Sequence, residues 1–242
     1  MAASSPHFSF SHHFHPSWEH KIRPFIESEE CNNIYKFLKS ESQKGKKLAP
    51  ISTDTYKVFQ LTPLNEVVAI VLGMCPYHTT KNNMIVADGL ALGCSNTKEL
   101  QPSLEQFYNA IEKDVYGGMC LEGFKSFDVS FLSKQGVLML NAALTTEIGK
   151  AGAHMDIWTP FTTYLFKNIF NYMDVPIIML GKEAQKYGQY ITNQEMLFPL
   201  SHPASASYKK TDWDSEGVFK KVTEIVKNTN GNNLDWWEMC PF

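Results

Sequence analysis

Four short apolar runs punctuate the chain: Val67–Leu72, Val137–Leu140, Val175–Leu180 and Met196–Leu200. Each is rich in Val, Ile, Leu or Met and none alternates cleanly with polar residues. That is the pattern of strands buried on both faces, as in a parallel sheet. Between the runs the apolar positions change to helical spacing. Ser103-Leu104-Glu105-Gln106 reads as a capping box, followed by Leu104, Phe107, Tyr108, Ile111 and Val115 on one face. Trp158, Phe161, Thr162, Leu165, Phe166 and Ile169 form a second stripe, and Val218, Val222, Ile225 and Val226 a third. Strands alternating with helices predict an α/β fold: one domain with a central four-stranded parallel sheet, right-handed crossovers and flanking helices.

The rest of the chain adds boundaries. Residues 1–16 are rich in Ser, His and Phe and read as a flexible tail, with one domain over 17–242. Pro16-Ser17-Trp18 opens a helical region, Ser40–Lys47 reads as a polar, lysine-rich connector, and no internal repeat is present. His12, His13 and His15 could be metal ligands, but a flexible His-rich tail is the better reading, so no metal or other cofactor is expected. The 242 residues are 43% apolar and 13% aromatic, enough for a sizeable core. A net charge of −3 provides no global positive field, so any nucleic-acid contact must rest on local patches. Cys31, Cys75, Cys94, Cys120 and Cys240 form no C-x-x-C pair, which argues against a disulfide framework and a zinc site. No apolar run is long enough for a signal peptide or a membrane span, so an intracellular, reducing setting without membrane contact is expected.

The strand ends carry the candidate chemistry. The first run leads into Cys75-Pro76-Tyr77-His78, the second into Asn141, the third into Gly181-Lys182 and the fourth into Ser201-His202-Pro203. Open α/β sheets bind ligands beyond the carboxyl ends of their strands. Tyr, His, Asn and Lys side chains are thereby directed to one edge, an arrangement open to many small-ligand enzymes.

Motifs in a fixed order narrow that field. Gly73-Met74-Cys75-Pro76-Tyr77-His78 resembles the G-Q-D-P-Y-H loop of uracil-DNA glycosylases. Ala87-Asp88-Gly89-Leu90-Ala91-Leu92 is similar to A-D-G-L-A-F, Pro102-Ser103-Leu104 to P-S-L, and Gln135–Thr145 to Q-G-V-L-L-L-N-A-V-L-T. His202-Pro203-Ala204-Ser205-Ala206-Ser207 resembles H-P-S-P-L-S, and Asp235-Trp236 the C-terminal I-D-W. The resemblance runs from about Pro16 to Trp236 and implies DNA as partner, uracil-containing or single-stranded, with the target nucleotide flipped into a pocket. It implies that Asn141 bonds the pyrimidine edge and that Tyr77 closes on the C5 position. His202 would stabilise the departing base anion. Ser103, Lys182, Ala204 and Ser205 would lie along the DNA backbone, with Lys209 and Lys210 as further phosphate contacts.

Several positions depart from the family pattern. Cys75 stands where a carboxylate activates or orients water, and Met74 where a polar amide is usual. Leu92 replaces an aromatic that stacks on the base, Ala204 lacks a serine hydroxyl, Lys182 occupies another serine position, and Ala206 replaces a wedging leucine. Cys75 itself could be a packing residue, a nucleophile or an altered water activator. The leading expectation is a homologue with impaired or absent uracil excision that keeps a base-recognition cleft. The alternatives are an active glycosylase of altered base specificity and a non-catalytic protein-interaction module, such as a decoy for glycosylase inhibitors or a replication accessory.

Overall fold

The computed structural model describes residues 10–118 and 125–238. The four apolar runs form one sheet of parallel strands: β1 (Ala69–Gly73), β2 (Val137–Asn141), β3 (Ile177–Leu180) and β4 (Leu197–Leu200), in the order β2-β1-β3-β4. Every residue of β1, β2 and β3 is buried, which is why these strands read as unbroken apolar runs. β4 is an edge strand and carries Pro199, a residue tolerated there because an edge leaves one row of backbone groups unpaired.

The longer helices are α1 (Glu19–Ile26), α2 (Glu29–Gln43), α3 (Pro102–Val115), α4 (Met155–Asn168), α5 (Pro203–Lys209) and α6 (Val218–Asn230). Aromatic rings fill the space between helices and sheet. Trp18 meets Phe59 at 5.0 Å between ring centroids, Phe107 meets Phe219 at 4.8 Å, and Phe219 meets Trp236 at 4.9 Å. The indole N–H groups of Trp18 and Trp236 donate to the Thr62 carbonyl and the Thr223 hydroxyl, so these large side chains are buried with their polar atoms satisfied. Gln135 and the backbone of Asp235 exchange hydrogen bonds at 2.8 Å, which ties the C-terminal segment to the turn before β2.

Three local expectations need correction. Ser103 does not cap α3: the N-cap is Gln101, Pro102 opens the helix, and Ser103 lies inside its first turn. Proline is suited to that first turn because its fixed φ is already helical and no N–H is wasted. The stretch from Ser40 is not all connector, since α2 continues to Gln43; Glu41 holds both Lys44 and Lys46, and Lys46 also reaches Glu147 at 3.2 Å. Of the expected tail, Phe14 is buried and packs on Tyr56 and Phe59 at 5.0 and 5.2 Å. Residues 1–9, Cys120 and Cys240 lie outside the described residues. Cys31, Cys75 and Cys94 are free thiols. Among the described residues no helix is long and apolar enough to cross a membrane.

A buried polar chain holds α4 beneath the loop after β2. The Trp158 indole donates to the Thr145 hydroxyl at 2.7 Å, and that hydroxyl bonds Nδ1 of the buried His154 at 2.9 Å. Replacing Thr145 by Val keeps the shape and removes the bridge, at a cost of about 1–3 kcal/mol per orphaned group. Urea denaturation of T145V is therefore expected to reveal a loss of about 2 kcal/mol or more. A change within about 0.5 kcal/mol, the range of neutral substitutions, would remove this chain from the account.

Candidate functional site

The carboxyl edge of the sheet opens into a cavity of about 690 Å3 between the loop after β1, the start of α3, the end of β3 and the start of α5. Met74, Cys75, Tyr77, Leu92, Ser103, Asn141, Lys182, His202, Ala204 and Ser205 all line it. Lys209 and Lys210 do not; they are exposed at the far end of α5.

Asn141 is placed by strand register. It is the last residue of β2 and pairs with Gly73, the last residue of β1. A Cβ built on Gly73 would stand 2.6 Å from Asn141 Oδ1, so the close approach of the amide requires glycine at this position. Asn141 is nonetheless buried, which holds one donor group and one acceptor at fixed places in the cavity wall.

The loop after β1 is held from both sides. The carbonyls of Gly73 and Met74 accept from the N–H groups of Ala142 and Ala143 at 2.9 Å, and the His78 carbonyl accepts from Gly149 at 2.7 Å. Cys75 Sγ accepts the Gly152 N–H at 3.3 Å. Burial pushes the Cys75 thiol up, and the weaker pull of the Gly152 N–H in the other direction does not reverse it. An activated nucleophile needs the opposite shift, so these surroundings favour an inert S–H. The Tyr77 hydroxyl bonds Ser103 Oγ at 2.7 Å. Ser103 is buried, so its hydroxyl orients the Tyr77 ring, a partnership not foreseen beside its expected phosphate contact.

Leu92 enters the cavity from a loop built around Asp88. The buried Asp88 carboxylate accepts from the Leu90 N–H at 3.1 Å, the Ser95 N–H at 3.1 Å and the Ser95 hydroxyl at 2.6 Å. Gly93 passes so close that a Cβ there would meet Asp88 Oδ1 at 2.1 Å. Leu92 itself adopts φ +63°, a conformation uncommon for a non-glycine residue, and is maintained by the loop around it. Asp88 was legible in the sequence only as part of a motif. Its structural role follows from the three donors it gathers.

His202 caps α5, with Nδ1 accepting the Ala204 N–H at 3.1 Å. Because a backbone N–H can only donate, the neutral ring carries its proton on Nε2, leaving a donor on a residue that lines the cavity. Burial lowers the His202 pKa and favours that neutral form. Gly181, at φ +89°, lies against the ring, where a Cβ would come within 3.2 Å of His202 Cβ. Lys182 follows it, exposed at the cavity rim. Among the described residues, Glu183 is the one carboxylate that lines the cavity, and it is paired with Lys186 at 2.6 Å. No group of three His, Cys, Asp or Glu among the described residues could hold a metal ion. The cavity wall therefore offers a fixed amide at Asn141, ring and alkyl surface from Tyr77 and Leu92, and a hydrogen-bond donor at His202.

The chain belongs to the uracil-DNA glycosylase superfamily, whose model matches residues 65–227. It is 30% identical over 230 residues to a uracil-DNA glycosylase of Caenorhabditis elegans, covering 92% of this chain and 77% of the worm protein. It is also 30% identical over 226 residues to that of Streptococcus pneumoniae (strain Hungary19A-6), covering 92% of this chain and 98% of the bacterial protein. The fold matches the crystal structure of mimivirus uracil-DNA glycosylase with a TM-score of 0.80 at 20% identity, over 92% of this chain and 87% of the viral one. A mimivirus UNG variant solved in complex with UGI matches with a TM-score of 0.79 at 18% identity, over 93% of this chain and 89% of that one.

The geometry at His202 predicts its titration. The folded pKa is lowered, so its stabilising contribution is complete above the ordinary value of about 6.5 and is lost as pH falls through the lower folded value. Imidazole 15N spectra at pH 7 should report the Nε2–H tautomer and a midpoint below about 6.5. A midpoint above that, or the Nδ1–H tautomer, would contradict the assigned hydrogen bond.

Proposed function

We propose that this protein binds DNA and receives an extruded pyrimidine in the cavity at the carboxyl edge of its sheet, with uracil excision impaired or absent. The observation that carries this reading is the composition of the cavity wall. Asn141, Tyr77 and His202 supply base-edge bonding, closure and an anion-stabilising donor, while Cys75 occupies the water-activating position with an inert thiol. Glu183 is no substitute, being at the rim in partnership with Lys186. A positioned general base contributes about 10²–10⁴ in rate, or roughly 3–5 kcal/mol. Replacing a stacking aromatic by Leu92 weakens base binding further, by roughly 1–3 kcal/mol.

A second reading is a protein-partner role through the same surface. The match to a mimivirus UNG variant in complex with UGI supports it, since this chain shares that fold. DNA binding and protein binding separate cleanly in a salt titration. Lys182 is exposed at the cavity rim, Lys209 and Lys210 are exposed at the far end of α5, and on the DNA-binding reading all three contact phosphates. Log affinity for single-stranded DNA should fall linearly with log salt, and each lysine-to-alanine variant should reduce the slope by about 0.7. No binding even at low salt would leave the protein-partner reading in possession.

Single-turnover excision of uracil should be at least about a hundredfold slower than in a homologue that keeps the acid. Cys75→Asp should restore part of it, because the base-reading residues are unchanged, and adding Leu92→Phe should raise it further. Wild-type rates equal to those of such a homologue would refute impairment. Folded C75D protein that releases no uracil would refute a dormant pocket.

A further inference from the structure

Tyr208 is 85% exposed, more than any other large hydrophobic side chain among the described residues, and of the large exposed hydrophobics it alone lines the cavity. It sits in the last turn of α5, one turn beyond Ala204 on the same helix face, with the exposed Lys209 and Lys210 directly after it. The mounting is rigid. Pro203 and Ala206 are buried where α5 packs on α3, the Ser207 hydroxyl donates to the Pro102 carbonyl at 3.1 Å, and Thr211 N–H returns to the Ala206 carbonyl at 3.1 Å. Lys210, in the left-handed region at φ 54°, turns the chain away immediately after.

This placement changes the reading of Ala206. That residue is only 5% exposed, so its side chain points into the protein and not toward a ligand at the cavity mouth. The side chain presented there is the aromatic ring two positions later. An exposed aromatic between the cavity and two cations has the composition of a stacking contact with nucleic acid.

Resting on the DNA-binding reading above, we propose that Tyr208 stacks on, or inserts beside, the base flanking the extruded nucleotide, while Lys209 and Lys210 hold the adjoining phosphates. The extruded nucleotide leaves a gap whose neighbouring base faces lose their partner, and a rigidly mounted ring offsets that loss. The protein thus carries a base-stack contact in spite of the alanine at position 206.

The test uses the full chain and two otherwise identical duplexes, one with a stable abasic analogue and one fully paired, measured by fluorescence anisotropy at low salt. Permanganate reactivity of a thymine beside the analogue reports unstacking directly. Tyr208→Ala should weaken binding to the abasic duplex about 5- to 100-fold and abolish the protection of that thymine seen with wild type; wild-type protein that leaves the thymine unprotected would overturn the proposal. Tyr208→Phe should stay within about threefold of wild type, because the ring and not the hydroxyl makes the contact. Lys209→Ala should weaken both duplexes by a similar factor, as a phosphate contact does. Melting curves of each variant establish that it is folded. Unchanged affinity and permanganate pattern in Y208A would overturn the proposal alone. Equal losses in Y208F and Y208A would replace stacking with a hydroxyl contact and also overturn it. Failure of the wild type to bind either duplex would overturn the DNA-binding reading and this proposal together.

Discussion

The pairing of Gly73 with Asn141 across neighbouring parallel strands is the contact on which the site depends. Because glycine carries no Cβ, the Asn141 amide oxygen occupies space that any other residue would fill. The same register places the loop after β1 beside the loop after β2, where Ala142 and Ala143 bind the Gly73 and Met74 carbonyls. A one-residue slip would turn Asn141 to the opposite face and remove the amide from the cavity. Parallel direction does the rest, since all four strands deliver their following loops to one edge.

On the proposed function, the residues around that pair keep the means of holding a base while the means of cleaving its bond is changed. Asn141 and His202 are fixed by backbone geometry, Tyr77 by Ser103, and Leu92 by the donors gathered on Asp88. None of these depends on what occupies position 75. Burial keeps the Cys75 thiol neutral against the weaker opposite pull of the Gly152 N–H, and on the proposed function this is a position where charge would be needed for water activation. If position 75 lacks the general base as proposed, that loss outweighs loss of one stacking ring by about 2 kcal/mol, so position 75 dominates the expected rate. The altered-specificity alternative rests on Leu92, which lines the cavity where a larger aromatic would narrow it.

Much of this was legible in the sequence because burial on both faces of β1, β2 and β3 leaves unbroken apolar runs; the fourth run also marks its strand to within a residue, although β4 is a partly exposed edge. The family membership was legible because several motifs recur in order. Other features depend on contacts distant in sequence. Ser103 looked like a helix cap, but Gln101 holds that position and the hydroxyl goes to Tyr77, 26 residues away. Gly152 approaches Cys75 across 77 residues. Ala206 matched a wedge position in the motif, yet α5 is helical there and turns that side chain inward while presenting Tyr208. Motif alignment records order; only the helix phase determines which side chain faces the cavity.

On the proposed function, base reading persists while water activation is lost. The most direct measurement compares equilibrium binding to single-stranded DNA containing one uracil with binding to the same strand containing thymine, while free base is followed in the same tubes. If Tyr77 closes on the C5 position as proposed, the uracil strand should be preferred by about tenfold, because a methyl group in a hydrophobic pocket is worth about 1–3 kcal/mol, with the uracil still attached after binding equilibrates. Equal affinity for the two strands, or release of uracil on the timescale of binding, would contradict this reading.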